Sequence, residues 1–332
     1  MSIKYFIKRI IVYLILVFSA ITINFIIPRL IPGNPFAYLL RQMRMQGAHI
    51  QNYQEIIESY KRRFGLDKDL FTQYIMYLQN LMRGDLGPSL MAFPMTVQQL
   101  IMNALPWTIG LLSVSTIVGW LLGVLLGTFI SMKRETKINS IIVCAFLGLS
   151  QIPYYLLALL LIFALVYVIP LFPASGGYSP YVKPGFNISF IGDVIYHSIL
   201  PALSLILISL GGWMIEMRGV VTNVLGEDYI LFAEAKGLKK NIITLKYVFR
   251  NALLPEVTGL AMSLGYVMSG ALLLEMIFAY PGVGRLYMNA LNRLDYNVMQ
   301  GVFLIVTLAV LTATLIIDLI YPLIDPRIGY EK

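Results

Sequence analysis

Three carboxylates stand in apolar sequence where a charge is expensive. They are Glu216 in "GGWMIEMRGV", Glu275 in "ALLLEMIFAY" and Asp318 in "TLIIDLIYPL". An acid at membrane depth is a functional candidate by default, because burying it costs several kcal/mol unless something partners it. Here the three fall on three separate segments, and no lysine or histidine shares those stretches. They make a poor proton relay, and two roles stay open for each: packing or helix-end hydrogen bonding, or a part in transport. For Glu275, just before "MIFAYPGVGRL", the choice is between lining a pathway and bracing the turn Pro281–Gly284; bracing fits better, since one lone acid discriminates poorly. The other chemistry-bearing residues are sparse. Cys144 is the single cysteine, which excludes an internal disulfide, and the two histidines, His49 and His197, are too far apart for a histidine-rich metal site. No G-x-x-x-x-G-K-[ST], H-E-x-x-H, C-x-x-C or G-x-S-x-G occurs, so the sequence offers no phosphate loop and no hydrolytic nucleophile.

The stretch "FAEAKGLKKNIITLKYVFRNALLP", residues 232–255, is different in kind. It holds five of the chain's 25 basic residues: Lys236, Lys239, Lys240, Lys246 and Arg250. Its pattern over 226–255 reads helix, break, helix. "EDYILFAEAK" ends at Gly237, a natural C-terminal cap. The second helix places Ile242, Leu245, Val248, Phe249 and Ala252 on one side, with Lys246 and Arg250 four apart on another. Pro255 then marks the entry to the next apolar run. Such a segment either rests on anionic lipid or projects rigidly, carrying force from a soluble partner. The residues themselves favour neither.

The elements around it are hydrophobic. Of 332 residues 58% are hydrophobic and 13% charged, with a mean hydropathy of +0.76, where a soluble domain carries roughly 25% charge. Six membrane spans are expected, near 10–27, 107–131, 140–169, 198–217, 257–278 and 301–323, at about 20 residues per crossing. Lys4, Lys8 and Arg9 precede the first, which is too long for a secretory leader and reads as retained. With the N-terminus inside, the inner segments carry 14 Lys and Arg and the short outer connections three. Both termini and the basic stretch are therefore expected on the cytoplasmic side, and the net charge of +8 reflects orientation rather than nucleic acid. In the second span Ser115, Gly119, Gly123, Gly127 and Ser131 recur every fourth residue, a flat face for close helix packing. Ala261, Gly265 and Ser269 repeat this more weakly in the fifth. The division expected is an N-terminal span with an external segment of short amphipathic helices (1–100), then a transmembrane core (101–330) that contains the stretch at 226–255. Pro153 and Pro201 are places where the third and fourth spans could break.

The basic stretch resembles the cytoplasmic "EAA" loop of ABC importer permeases, in the form of the dipeptide/oligopeptide branch. The match runs through Ala233, Ala235, Lys236 and Gly237, then Arg250, Asn251, Ala252 and Pro255; Leu231 stands where the loop's namesake glutamate would fall. "RRFGLDKDLFTQYIMYLQNLMRGDLGPSL", "EMIFAYPGVGRLYMNALNRLDYNVMQG" and "DLIYPLIDPRIGY" resemble further landmarks of that branch, in order. The resemblance implies an all-α polytopic bundle of the ABC type I importer permease fold in a prokaryotic cytoplasmic membrane. It implies a second related permease, two ATPase subunits that hold ATP and magnesium, and an outer substrate-binding protein, with no cofactor on this chain. Leu238 and Ile242 would supply contact area to an ATPase, and Lys239 and Lys240 would steer docking. Relatives in the branch import peptides, oligosaccharides or nickel; peptides are the leading expectation. A secondary transporter, a membrane enzyme and a non-transporting receptor are the rival classes.

Overall fold

The computed structural model describes residues 3–30, 55, 57–59, 62, 65–132, 136–267 and 271–324. Of the positions named above, His49 and Ser269, and the side chains of Lys4 and Asp318, lie outside the described set. All named elements among the described residues are helical. The chain divides into two compact units, residues 1–106 with 282–332, and residues 107–281.

In the first unit, Ile3–Leu30 (α1) packs along Tyr296–Ile324 (α11). Polar side chains pin this pair. Asn24 Nδ2 donates to the Gln300 carbonyl at 2.7 Å, and Gln300 Nε2 donates to the Phe25 carbonyl at 3.3 Å. Leu70–Met82 (α2) is the second of the expected external helices. Asp69 caps it by accepting the Thr72 N–H at 3.0 Å, and Gly84 follows it at φ +71°, as an N-cap acid and a terminating glycine should. The Thr72 hydroxyl and N–H hold the Asp69 carboxyl below the usual carboxylate range. Val283–Arg293 (α10) is an amphipathic helix that hydropathy does not reveal, burying Val283, Gly284 and Ala290 against the first turns of Val97–Met132 (α3) and against α11. The N-terminus of α11 is fixed by Asp295, whose Oδ2 accepts Ser89 Oγ at 2.5 Å and the Met91 N–H at 3.0 Å.

The second unit holds residues 107–132 of α3 and the helices that follow it up to Ile277. Lys137–Ser150 (α4) and Tyr154–Ile162 (α5) fall in the third expected span, which the sequence allows to break at Pro153, and they are bent by 100°. Pro153 is the cause. It has no N–H to continue the ladder and pushes Ile152 out of helical backbone. Pro201 has no such effect, since Ile188–Leu225 (α6) runs through it, with Ser204 Oγ donating to the Pro201 carbonyl at 2.7 Å. Asp228–Ala235 (α7) follows. Lys240–Ile242 then passes through a π-helical stretch, Ile243–Phe249, straight into Arg250–Tyr266 (α8). Leu272–Ile277 (α9) is short. Among the described residues four helices, α1, α3, α6 and α11, are long and apolar enough to cross a membrane, and the bent pair adds a fifth crossing only if its two arms form one broken span rather than a re-entrant loop. The expected crossing at 257–278 falls on α8, which ends at Tyr266, and α9, which begins at Leu272.

The glycine face of α3 lies on α6. A Cβ on Gly123 would stand 2.5 Å from Trp213 Cβ, 3.0 Å from the Leu210 carbonyl oxygen and 3.1 Å from the Met214 nitrogen. On Gly127 it would meet the Met214 carbonyl at 2.5 Å, and on Gly119 it would collide with Ser209 Oγ. In the expected weaker stripe of the fifth span, Ala261 is exposed; the tight position in α8 is Gly259, where an added Cβ would stand 3.1 Å from the Trp213 ring.

Candidate functional site

Residues 226–255 lie wholly in the second unit. Asp228 sits in the first turn of α7, where a carboxylate suits the exposed N–H groups. The helix stops where the glycine stands. Gly237 takes φ +71°, its N–H reaches the Glu234 carbonyl at 2.8 Å, and the Leu238 N–H reaches the Ala233 carbonyl at 3.3 Å. This pair of bonds is a Schellman motif, and the accompanying apolar contact is present, since Leu238 packs into the cluster that contains Ala233.

That cluster fastens the segment to the rest of the unit. Ile230 and Ala233 of α7, with Ile243, Val248 and Ala252 of the following rod, are buried against Val124 of α3 and Met217 and Val221 of α6. Trp120 Nε1 adds a hydrogen bond to the Glu256 carbonyl at 3.2 Å. The buried set corrects the stripe expected from the sequence. An α-helical period groups Ile242, Leu245, Val248, Phe249 and Ala252, but Leu245 is 64% exposed and Ile242 is exposed too. The π-helical stretch is the reason. Its wider turn aligns residues five apart, so Ile243 and Val248 share the inward face. Pro255 is likewise not a boundary; it sits inside α8, in a rod already begun at Lys240.

The residues singled out by the sequence therefore separate into two groups. Ala233 is buried and Leu238 half-buried on the anchoring side. Ala235, Lys236, Gly237, Lys239, Lys240, Ile242, Arg250, Asn251 and Pro255 are exposed. With them the bare face displays Leu231 and Phe232, 60% and 70% exposed, and Tyr229. The sequence pattern does not single out Phe232 or Tyr229; each stands one residue before a buried position, Ala233 and Ile230, and turns outward once those anchor the helix. Lys236 Nζ lies 5.8 Å from the Phe232 ring centre. Asn251 Nδ2 donates to the Tyr247 carbonyl at 2.6 Å, satisfying an acceptor at the point where the wide turn narrows. The face thus carries apolar side chains and a net positive charge, its five basic residues outnumbering the exposed Glu227, Asp228 and Glu234, on a scaffold tied to two long helices. Among the described residues no group of three or more His, Cys, Asp or Glu side chains is placed to hold a metal ion.

Glu275 is elsewhere in the unit. It is fully buried in α9, its Oε1 accepts the Thr108 hydroxyl at 2.6 Å, and its carbonyl accepts the Tyr280 N–H at 2.8 Å. Tyr280 in turn bonds Ser198 at 2.9 Å and stands edge-on to Trp107 at 5.6 Å. Thr108 was not foreseen, because a threonine 167 residues away carries no local signal. Glu216 is exposed on α6.

Comparison with known proteins places these features in context. Residues 119–330 match the family model described as "Binding-protein-dependent transport system inner membrane component". The chain is 32% identical over 327 residues to the oligopeptide transport system permease protein AppB of Bacillus subtilis, covering 98% of this chain and 99% of that one. It is 32% identical to the probable D,D-dipeptide transport system permease protein DdpB of Escherichia coli, covering 95% of each. It is 31% identical to the oligopeptide transport system permease protein OppB of Haemophilus influenzae, covering 98% of this chain and 99% of that one. The helical membrane architecture, the loop at 226–255 and the near end-to-end matches agree, and the chain belongs to the family of binding-protein-dependent transport system inner membrane components, as an ABC importer permease of the dipeptide/oligopeptide branch.

Proposed function

We propose that this chain is a transmembrane permease subunit that imports di- and oligopeptides across a prokaryotic cytoplasmic membrane, driven by ATP hydrolysis on separate subunits. The observation that supports it most is the two-sided build of residues 226–255: one face buried against α3 and α6, the other bare, apolar and cationic. A segment meant only to float on lipid has no need of such anchoring. Peptide cargo is supported by the names of the relatives, all transporters of oligopeptides or dipeptides.

In this reading the loop lies inside the cell, as the 14 against three charge count indicates. The α7 helix docks in a cleft of an ATPase. Leu231, Phe232 and Ile242 supply apolar contact, and Lys236, Lys239 and Lys240 set the approach and register. Because Lys240 to Tyr266 is one rod, a push on the loop moves α8 with it, and through the buried cluster the inner ends of α3 and α6 move too. The chain itself breaks no bond. Its partners are a second permease, two ATPases holding ATP and magnesium, and an outer binding protein. Glu275 braces α9 against α3 through Thr108 rather than contacting cargo.

The test is uptake of radiolabelled dipeptide by the complex in liposomes with its binding protein. Uptake should require ATP inside the vesicle and fall at least tenfold when Lys239 and Lys240 are both changed to Glu, with ATPase chains lost from the purified complex. Uptake that runs without ATPase chains on an ion gradient would overturn the reading in favour of a secondary transporter.

A further inference from the structure

A groove of about 310 Å³ opens on the second unit between α3, α5, α6 and α8. Six hydroxyls line it: Ser115 and Thr116 of α3, Tyr154 of α5, Ser209 of α6, and Ser263 and Tyr266 of α8. The remaining lining residues are aliphatic, and none is charged. We propose that this groove is the part of the translocation path that receives the peptide backbone of the cargo; the proposal rests on the peptide-importer reading above.

Membrane physics argues for this occupant. A hydroxyl facing hydrocarbon must find its hydrogen bond within the protein or leave a polar group unsatisfied. Ser115 and Ser209 solve this by donating to their own helices, to the Leu111 carbonyl at 2.7 Å and the Ile206 carbonyl at 3.3 Å. Their oxygens still offer lone pairs to the groove. Thr116 and Ser263 make no hydrogen bond among the described residues, yet both are half-buried. An acyl chain would satisfy none of these groups. A peptide backbone carries one donor and one acceptor per residue, which is the complement a hydroxyl needs. Absence of charge on the walls then matters as much as polarity. A path that passes many sequences must hold what all peptides share and ignore what varies. Aliphatic walls tolerate side chains, and uncharged hydroxyls bind the main chain of cationic and anionic cargo alike. The floor is firm, because Ser209 packs directly onto Gly119, one of the three glycines through which α3 lies on α6.

Cysteine accessibility tests this in the assembled complex in liposomes. The native thiol is first removed with Cys144→Ser. Thr116→Cys and Ser263→Cys are then compared with Val114→Cys, an exposed position on the opposite side of α3, using a membrane-impermeant thiosulfonate reagent. Thiols react as thiolates, which do not form in hydrocarbon. Thr116→Cys and Ser263→Cys should label at least ten times faster than Val114→Cys. Dialanine with binding protein and ATP should slow that labelling several-fold. Labelling no faster than at Val114→Cys would mean lipid fills the groove, and labelling that never occurs, with uptake intact, would mean a partner helix covers it; either overturns the proposal. Labelling indifferent to dialanine in a complex that imports it also overturns the proposal. A wild-type complex that imports no dialanine would instead refute the cargo reading.

Discussion

Gly123→Ala adds one methyl group, and the structure gives that methyl no room. Its Cβ would lie 2.5 Å from Trp213 Cβ and about 3 Å from two backbone atoms of α6, at 3.0 and 3.1 Å. Carbon atoms rest at roughly 3.5–4.0 Å, so α3 and α6 must part by about 1 Å at this level. The backbone atoms cannot swing away as a side chain would. Overpacking of this kind costs about 1–3 kcal/mol, and alanine returns up to about 1 kcal/mol through its better helix propensity. A net loss of about 1–2 kcal/mol follows. The assay is thermal unfolding of the purified complex, with Gly212→Ala as the control, because a Cβ there meets nothing within 4 Å. Gly123→Ala should melt roughly 2–8 °C lower, Gly212→Ala should melt no lower than the wild type, and Gly123→Leu should fail to assemble. If Gly123→Ala and Gly212→Ala melt together, the close approach of α3 to α6 is not what holds this part of the unit.

Gly237→Val forces a β-branched residue to φ +71° at about 1–2 kcal/mol; it should leave ATP hydrolysis running while uptake falls, whereas Gly237→Asn, which tolerates that backbone, should stay close to wild type, and normal transport by Gly237→Val would remove the loop's coupling role. Glu275→Gln keeps an acceptor for Thr108 and should transport cationic and neutral dipeptides as the wild type does. Glu275→Leu strands the Thr108 hydroxyl at about 1–3 kcal/mol and should lower complex stability, and a large uptake loss for Gln at unchanged assembly would sink the bracing role. Cysteine at Lys239 should label only from the cytoplasmic side and cysteine at Glu58 only from outside; the reverse would invert both topology and mechanism.

Features that depend on local backbone chemistry were legible in the sequence. Gly237 ends a helix because the left-handed conformation suits glycine, and α7 stops there. The four-residue glycine spacing of α3 was legible as a flat face, but that even alanine is too large depends on where Trp213 and Leu210 lie, which no spacing reveals. The prolines behave differently from one another. Pro153 breaks its span by 100°, while Pro201 and Pro255 ride inside helices. The outcome rests on how neighbouring groups absorb the missing N–H, a tertiary matter. The inward face of the rod after Lys240 was misassigned because a 3.6-residue period was assumed where the backbone adopts a wider turn. The helix Val283–Arg293 was passed over because its mixed polarity hides it from a hydropathy window. The hydrogen bond between Glu275 and Thr108 was out of reach for another reason: it joins segments that only folding brings together.

The π-helical stretch Ile243–Phe249 lets the rod hold a spare residue without turning its buried side away from the unit. Ile243 and Val248 stand five apart, and both are buried in one cluster. Removing one residue between them, such as Thr244, would bring them to four apart, the spacing that puts two side chains on one face of an ordinary α-helix. The stretch would then close into α-helix with its anchoring intact. Single-residue changes of length in this interval are therefore ones that the rod can absorb in its own coil rather than pass on to the segments at its two ends.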